Sequence, residues 1–342
     1  MEFVLNLQVV WFILIGVLLT GYAILDGFDL GVGSLYLLAK GDTNRRILLN
    51  SIGPVWDGNE VWLVTGGGAL FAAFPDVYAT AFSGFYVAFM LLLFVLIFRA
   101  VSIEVRSKYE KAWWKSFWDK AFSVSSIIIA LLMGVAIGNI IQGIPIDATK
   151  EYAGSFFDLL NPYAIMVGIT TVALFMMHGS IYLVMKTEGA LQNQLRGWVN
   201  NTIIFFVITY VTTTMATLIY FPKMADHFRE FPLFFGFALL NMLAIANIPR
   251  QIFHGKDWLA FLSSSASIAS LMALFAVGMF PNFLISSINP EYSLTLYNAS
   301  SSEKTLEIML IMAIIGIPFV LAYTISIYWV FRGKVKLNSM SY

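Results

Sequence analysis

The chain has 342 residues, of which 59% are hydrophobic and 12% are charged, and its formal net charge is zero. Soluble domains carry about 25% charged residues, so this composition excludes a soluble globular protein and indicates a polytopic membrane protein. The sequence contains no cysteine, which excludes disulfides, iron–sulfur clusters and thiolate metal sites. No Lys or Arg precedes Lys40, and the first apolar run is too long for a signal-peptide core, so we expect that run to remain as the first span.

The apolar segments predict an all-α fold built from membrane-spanning helices. A spanning helix needs about 20 mostly apolar residues, and nine segments satisfy this requirement. We therefore expect one membrane domain over residues 1–342, with no soluble domain between the spans. The predicted spans are 7–39, 53–74, 77–99, 117–141, 160–186, 198–221, 231–250, 258–280 and 305–331.

The basic residues predict the orientation of these spans. With nine spans, sixteen Lys and Arg residues fall on one side of the membrane, whereas only four fall on the other side: Lys150, Lys223, Arg229 and Lys304. Connections on the cytoplasmic side carry the excess of Lys and Arg. The N-terminus is therefore expected outside and the C-terminus in the cytoplasm, and the asymmetry itself supports nine spans.

Two carboxylates, Asp26 and Asp29, lie inside the first predicted span. An ionised aspartate at the centre of a bilayer helix costs about 2.5–3.5 kcal/mol on insertion scales, so such residues face a bundle interior and often handle ions or protons. At a spacing of three residues the two side chains share one helix face. Gly27 and Gly31 form a small-xxx-small pattern that lets another helix approach. We expect both aspartates to face protein.

Further ionisable residues are predicted at a similar depth. Asp57 and Glu60 lie near the cytoplasmic end of the second span, and Arg99 closes the third. Because unpaired buried carboxyls tend to take up protons, the set of Asp26, Asp29, Asp57, Glu60 and Arg99 can form a proton path. Two other interpretations stay open. The residues can bind a cation, or they can be structural, with Arg99 neutralising one carboxylate and Asp57 capping the second helix.

The histidines give little support for a metal or haem site in this chain. Only His178 lies within a predicted span, whereas His227 and His254 lie outside. One membrane histidine does not provide a pair of axial ligands, so we expect His178 to be a hydrogen-bonded interior residue. No Gly-rich phosphate loop or His-carboxylate metal spacing is present.

Four motifs in this order resemble subunit II of the cytochrome bd quinol oxidases. They are YAILDGFDLGVG at 22–33, WDGNEVW at 56–62, GGALFAAFP at 67–75 and YWVFRGKV at 328–335. The resemblance extends from the first span to the last. It implies a nine-helix fold with two four-helix bundles and one peripheral helix, in the cell membrane of a bacterium or archaeon.

The resemblance also implies a function. The complex would oxidise quinol and reduce oxygen to water, with protons drawn from the cytoplasm. Two b-type haems and one d-type haem would belong to subunit I, so no cofactor is expected in this chain. The implied partners are subunit I, a small single-span accessory subunit, and membrane lipid or quinone; no nucleic acid is expected.

Within the resemblance, Asp57 matches the position of a proton path toward the haem d site. Asp26 and Asp29 match the acidic positions of the first span. Glu60 departs from relatives that have Gln there, so an obligatory proton role is not expected for Glu60.

A different class of function is an autonomous cation-coupled secondary transporter that uses the acidic residues for coupling. Such proteins have inverted repeats and helices broken near the midplane. Neither feature is evident in this sequence.

Overall fold

The computed structural model describes residues 6–337 and residue 341. This part of the chain is almost entirely helical, with short 3-10 turns between helices and one two-stranded antiparallel sheet, β1 (Asn282–Leu284) and β2 (Leu294–Thr295). The helices are α1 (Leu7–Leu35), α2 (Asp42–Ile52), α3 (Trp56–Ala73), α4 (Pro75–Gly84), α5 (Tyr86–Val105), α6 (Ala112–Gln142), α7 (Pro162–Lys186), α8 (Gly189–Tyr220), α9 (Asp226–Glu230), α10 (Phe235–Phe253), α11 (Asp257–Met279) and α12 (Glu303–Val330).

Eight of the described helices are long and apolar enough to cross a membrane: α1, α5, α6, α7, α8, α10, α11 and α12. The predicted span 53–74 corresponds to α3, which has 18 residues. Its first two turns carry Asp57, Asn59 and Glu60, and these polar residues lower its hydropathy. The chain is therefore a multi-pass membrane protein in which α3 is the least apolar of the predicted spans.

Several predicted boundaries differ from the structure. The predicted span 77–99 is divided between α4 and α5, which meet at Phe85. Because α5 continues to Val105, Arg99 lies within this helix instead of closing it. Helix α8 begins at Gly189, well before the predicted residue 198. The polar helix α2 was not expected from the apolar pattern.

Local sequence explains where many helices begin. The Asn6 side chain caps α1 by accepting a hydrogen bond from Val9 N at 3.1 Å. Asn161 caps α7 in the same way through Ala164 N at 2.8 Å, and Pro162 follows at the first helical position, where a missing N–H costs nothing. Ser302 caps α12.

Helices α1 and α7 form the centre of the packing. α1 packs against α3, α6, α7 and α11, whereas α7 packs against α6, α8, α1 and α11. At the other extreme, α12 contributes only Leu306 to the buried residues and lies at the periphery. We call the end of the molecule where α1 begins the N-terminal face, and the end where α1 finishes the opposite face.

The α1–α7 crossing is close because glycines meet there. A Cβ added at Gly179 would lie 2.5 Å from the carbonyl carbon of Gly31, and a Cβ at Gly31 would overlap the carbonyl oxygen of Phe175. A Cβ at Gly27 would lie 2.8 Å from the Phe175 ring. The small-xxx-small prediction is therefore confirmed, and α7 is the helix that approaches.

We expect Gly31→Ala to destabilise the protein by about 1–3 kcal/mol, because the methyl group forces α1 and α7 apart. Gly16→Ala is the matched control on the same helix, since nothing lies within 4 Å of a Cβ added there. Thermal unfolding in detergent, followed by tryptophan fluorescence, should give a lower Tm for Gly31→Ala alone. Equal Tm values for the two variants would contradict the close crossing.

Candidate functional site

The aspartates of α1 are fully buried, as predicted. Asp26 and Asp29 have no exposed surface, and they lie in the part of α1 that ends at the opposite face. The glycines beside them allow α7 to cover this side of α1. Burying an ionised carboxylate without a partner costs a large amount of free energy. The neighbours of Asp26 and Asp29 therefore determine whether each carboxylate can be charged.

Arg99 of α5 joins α1 to α3. Its guanidinium has no exposed surface, donates to Asp26 Oδ1 from Nη2 at 2.7 Å, and makes a short contact from Nη1 to Glu60 Oε1. Glu60 is partly exposed, with 25% of its side-chain surface accessible. Planar guanidinium groups suit such bridging because they present several donors in fixed directions. Arg99 thus binds two carboxylates, one on each neighbouring helix.

Asp29 has a different environment, because its direct partner is a neutral amide. Asn59 of α3 donates from Nδ2 to Asp29 Oδ2 at 2.7 Å and to the carbonyl oxygen of Leu25 at 3.2 Å. The Tyr328 hydroxyl of α12 donates to Asn59 Oδ1 at 2.8 Å. Neither Asn59 nor Tyr328 was a predicted site residue, and only the tertiary arrangement reveals them.

Asp57 lies at the edge of this group. It is exposed in the first turn of α3 and interacts electrostatically with Glu60. The N-cap of α3 is Val55, without a side-chain capping bond. The capping interpretation of Asp57 is therefore wrong, although a carboxylate in the first turn still favours the helix dipole.

The structure brings together the five predicted residues as one cluster with an exposed edge and a buried interior. Arg99 faces three carboxylates, namely Asp26, Glu60 and Asp29, and the last interacts through space without a direct bond. Two buried oxygens, Asp26 Oδ2 and Asp29 Oδ1, have no hydrogen-bond partner among the described residues. One cation thus faces three acidic groups, and the buried Tyr22 hydroxyl also interacts with Asp26.

His178 is an interior hydrogen-bonded residue, as predicted. Its side chain is fully buried, Nδ1 lies 2.7 Å from Ser264 Oγ, and Nε2 lies 3.0 Å from the carbonyl oxygen of Ile24. Its ring also stacks on Phe261. Both ring nitrogens are engaged, so His178 does not fit the role of an axial haem ligand. Within residues 6–337, no cluster of three or more His, Cys, Asp or Glu side chains could hold a metal ion.

A second ionic cluster, at the opposite face, was not predicted. Asp119 of α6 is buried and accepts from Arg106 Nε at 2.6 Å, Arg45 Nη1 at 2.8 Å and the Tyr36 hydroxyl at 2.9 Å. Arg106 also donates to Asp42 at 2.7 Å. Partial burial of Asp42 tends to raise its pKa, but the hydrogen bonds and charges of Arg106 and Lys115 together outweigh this and leave the pKa below its usual value. The cluster ties α2 to α6 and to the turn that directly follows α5.

Comparison with known proteins identifies the family. The sequence model described as "Cytochrome bd terminal oxidase subunit II" matches residues 7–331. This chain belongs to that family. It is therefore a subunit of a bd-type terminal oxidase, and the resemblance seen in the four motifs is confirmed.

The relatives that match cover almost the whole chain. It is 37% identical to cytochrome bd-I ubiquinol oxidase subunit 2 of Escherichia coli K12, over 96% of this chain and 95% of the relative. It is also 37% identical to cytochrome bd ubiquinol oxidase subunit 2 of Bacillus subtilis 168, over 97% of each. The bd oxidase structure from Geobacillus thermodenitrificans has a chain with the same fold, with a TM-score of 0.80 at 17% identity over 96% of this chain and 98% of that one.

We expect Arg99→Gln to destabilise this bd oxidase subunit by about 3–5 kcal/mol, because Asp26 would remain buried without its cation. Adding Asp26→Asn should restore part of the loss. Yield of folded complex and Tm in detergent are the measurements.

Arg229→Gln serves as the control, since its ion pair with Asp226 spans 3.4 Å and both side chains are well exposed. Such surface pairs contribute about 0–1 kcal/mol. If Arg99→Gln and Arg229→Gln gave the same yield and Tm, Arg99 would not be the buried counter-charge described above.

Proposed function

We propose that this chain is the haem-free subunit of a bd-type quinol:oxygen oxidoreductase, which stabilises the haem-bearing subunit I and supplies it with protons from the cytoplasm. The observation that carries the proton role is the cluster around Arg99, in which exposed Asp57 leads to buried Asp26 and Asp29. Ionisable groups buried at membrane depth are typical of proton relays.

The proposed route begins at Asp57, because this carboxylate is exposed and lies beside Glu60. The unpaired oxygens Asp26 Oδ2 and Asp29 Oδ1 are the interior acceptors. Glu60 serves mainly as a counter-charge for Arg99. Because relatives with Gln at this position lack the carboxylate, Glu60 is not a required step of the proposed route. Water between the groups would carry the proton from one carboxylate to the next.

The exposed side of α3 is the proposed contact with subunit I. Residues 57, 61, 64, 68 and 71 are exposed along this helix, at alternating spacings of four and three residues that form one stripe. A Cβ added at Gly68 would meet nothing within 4 Å, so a partner helix can approach there. Helices α5 and α12 also carry exposed apolar residues, among them Phe94 and Phe319. This placement would bring Asp57 to the boundary between the two subunits.

The proposed topology has nine spans, with α3 as the ninth because it packs on α1 among the spanning helices. The N-terminal face would then lie outside and the opposite face in the cytoplasm, as the distribution of Lys and Arg favours. Helices α1, α3, α5 and α6 would form one bundle, α7, α8, α10 and α11 the second, and α12 would be peripheral. Residues 1–342 would constitute one membrane domain.

The redox groups of the proposed complex are two b-type haems and one d-type haem in subunit I, which would pass electrons from quinol to oxygen. The engaged ring nitrogens of His178 support this division between subunits. A small single-span subunit and a bound lipid or quinone are further proposed partners. The transporter alternative is not favoured by the family to which the chain belongs.

We expect Asp57→Asn in the assembled oxidase to lower oxygen consumption to about a tenth or less of the wild-type rate, because amides do not relay protons as carboxylates do. The visible haem spectrum should stay unchanged. Asp76→Asn is the control, since Asp76 pairs with Lys150 at 2.5 Å near the N-terminal face, far from the proposed route. A full rate for Asp57→Asn with intact haems would remove Asp57 from the route.

The division of cofactors has its own test. When the complex is purified in mild detergent, a reduced-minus-oxidised spectrum should show a d-type band, and a larger subunit should accompany this chain. After the subunits are separated, we expect this chain to be colourless. Haem that remained with the isolated chain would contradict the haem-free role.

A further inference from the structure

The peripheral helix α12 reaches the acidic cluster through one side chain. Most of α12 is exposed, and Leu306 is its only buried residue within the described part of the chain. Near its other end, however, the partly buried Tyr328 donates its hydroxyl proton to Asn59 Oδ1 at 2.8 Å. Asn59 is 2% exposed and in turn contacts Asp29. A helix at the edge of the fold thus reaches a fully buried carboxylate through one intermediate side chain.

The direction of these hydrogen bonds defines the orientation of the Asn59 amide. A tyrosine hydroxyl that donates to Asn59 requires the amide oxygen on the α12 side. The amide nitrogen must then face α1, where its two hydrogens go to Asp29 Oδ2 at 2.7 Å and the Leu25 carbonyl oxygen at 3.2 Å. Both hydrogens of the Asn59 amide are therefore donated in hydrogen bonds. Reversal of the amide would place its oxygen against the Asp29 carboxylate and the Leu25 carbonyl oxygen, so these two acceptors fix its orientation. The Tyr328 hydroxyl then holds the amide in place by donating to its oxygen.

The position of Tyr328 is itself fixed by the segment after α12. Lys186, at the end of α7, donates to the carbonyl oxygens of Phe331 and, at 3.3 Å, of Gly333. Lys334 donates to the Met185 carbonyl oxygen at 2.8 Å, and Val335 N donates to the Lys186 carbonyl oxygen at 2.9 Å. The C-terminal end of α12 is therefore anchored to α7 within one turn of Tyr328.

We propose that Tyr328 is a positioning residue for proton transfer: by holding the Asn59 amide in place, it keeps Asp29 with Oδ2 bound and Oδ1 free to accept a proton. This inference rests on the proposed proton role of Asp29. Asp26 is held differently, since Arg99 binds it directly. Tyr328 contacts Asn59 and acts on Asp29 only through it.

Other charged and titratable groups surround Asp29, and each belongs to a helix packed in this region. They interact with Asp29 electrostatically and contribute to any pH dependence of the site: Asp26 on α1, Glu60 on α3, Arg99 on α5, Tyr182 on α7 and Tyr328 on α12.

The test uses Tyr328→Phe in the complete oxidase, with Tyr323→Phe as the matched control on the same helix, where the side chain is 64% exposed. Infrared difference spectroscopy of the oxidase gives a carboxyl band for Asp29, assigned by its loss in Asp29→Asn. We expect this band to move in Tyr328→Phe and to stay in place in Tyr323→Phe. Oxygen consumption should fall about fivefold in Tyr328→Phe, the effect of losing one hydrogen bond, with normal haem spectra and a changed pH–rate profile.

A double-mutant comparison tests whether Tyr328 acts through Asn59. Asn59→Leu removes the intermediate, so adding Tyr328→Phe to it should cause no further fall in rate. Additive losses would overturn the inference, as would a Tyr328→Phe variant whose Tm falls while its Asp29 band and pH–rate profile stay unchanged. That second result would mean that Tyr328 only attaches α12 to the fold.

Failure of the inference can be distinguished from failure of the proposed function. If Asp29→Asn is slow but Tyr328→Phe has the wild-type rate and carboxyl band, the positioning role is overturned and the proton role of Asp29 stands. If Asp29→Asn has the full rate with normal haems, the proton role of Asp29 itself is overturned, and with it the inference about Tyr328.

Discussion

The buried guanidinium of Arg99 is the constraint around which the acidic cluster is arranged. A cation without exposed surface at membrane depth needs carboxylates within direct contact, and it finds one on α1 and one on α3. These bonds fix three helices relative to one another. Because Arg99 bonds directly to only two of the surrounding carboxylates, Asp29 has a neutral amide as its direct partner. The proposed proton role does not conflict with a structural role, since Arg99 holds the helices together and still leaves Asp29 without a directly bonded cation.

The glycine crossing of α1 and α7 makes this arrangement possible. When α7 approaches so closely at Gly31 and Gly179, its larger side chains cover the adjacent surface of α1. His178 then lies close enough to contact the Ile24 carbonyl oxygen, and Tyr182 stacks on Phe28. Lipid is excluded from Asp26 and Asp29 by this cover, so the charge environment of the two aspartates is set by protein groups alone.

Sequence patterns predict the helical class, the general positions of the spans and the five ionisable residues. Hydropathy and a charge within an apolar segment can both be read from a short stretch of sequence. They did not predict the long polar start of α8. There Gln192 and Arg196 bind Asp257 of α11, and such tertiary bonds extend a helix beyond its apolar stretch. Asn59 and Tyr328 were missed for a related reason, since 269 residues separate them in the chain. A polar side chain in a span is visible in sequence, but its partner is defined only by packing.

Helix α5 carries Arg99, and Arg106 directly follows its last residue, Val105. Each guanidinium binds carboxylates on two other segments of the chain. Both charges are almost fully buried, so dissolved salt screens these bonds far less than it screens surface pairs. A slip of one residue along α5 would rotate Arg99 by about 100° and displace Arg106 at the end of the helix, so both would lose their partners. The ion pairs therefore fix both the rotation of α5 and its position along its axis. Thermal motion in this region is restricted to movements that keep this axial position.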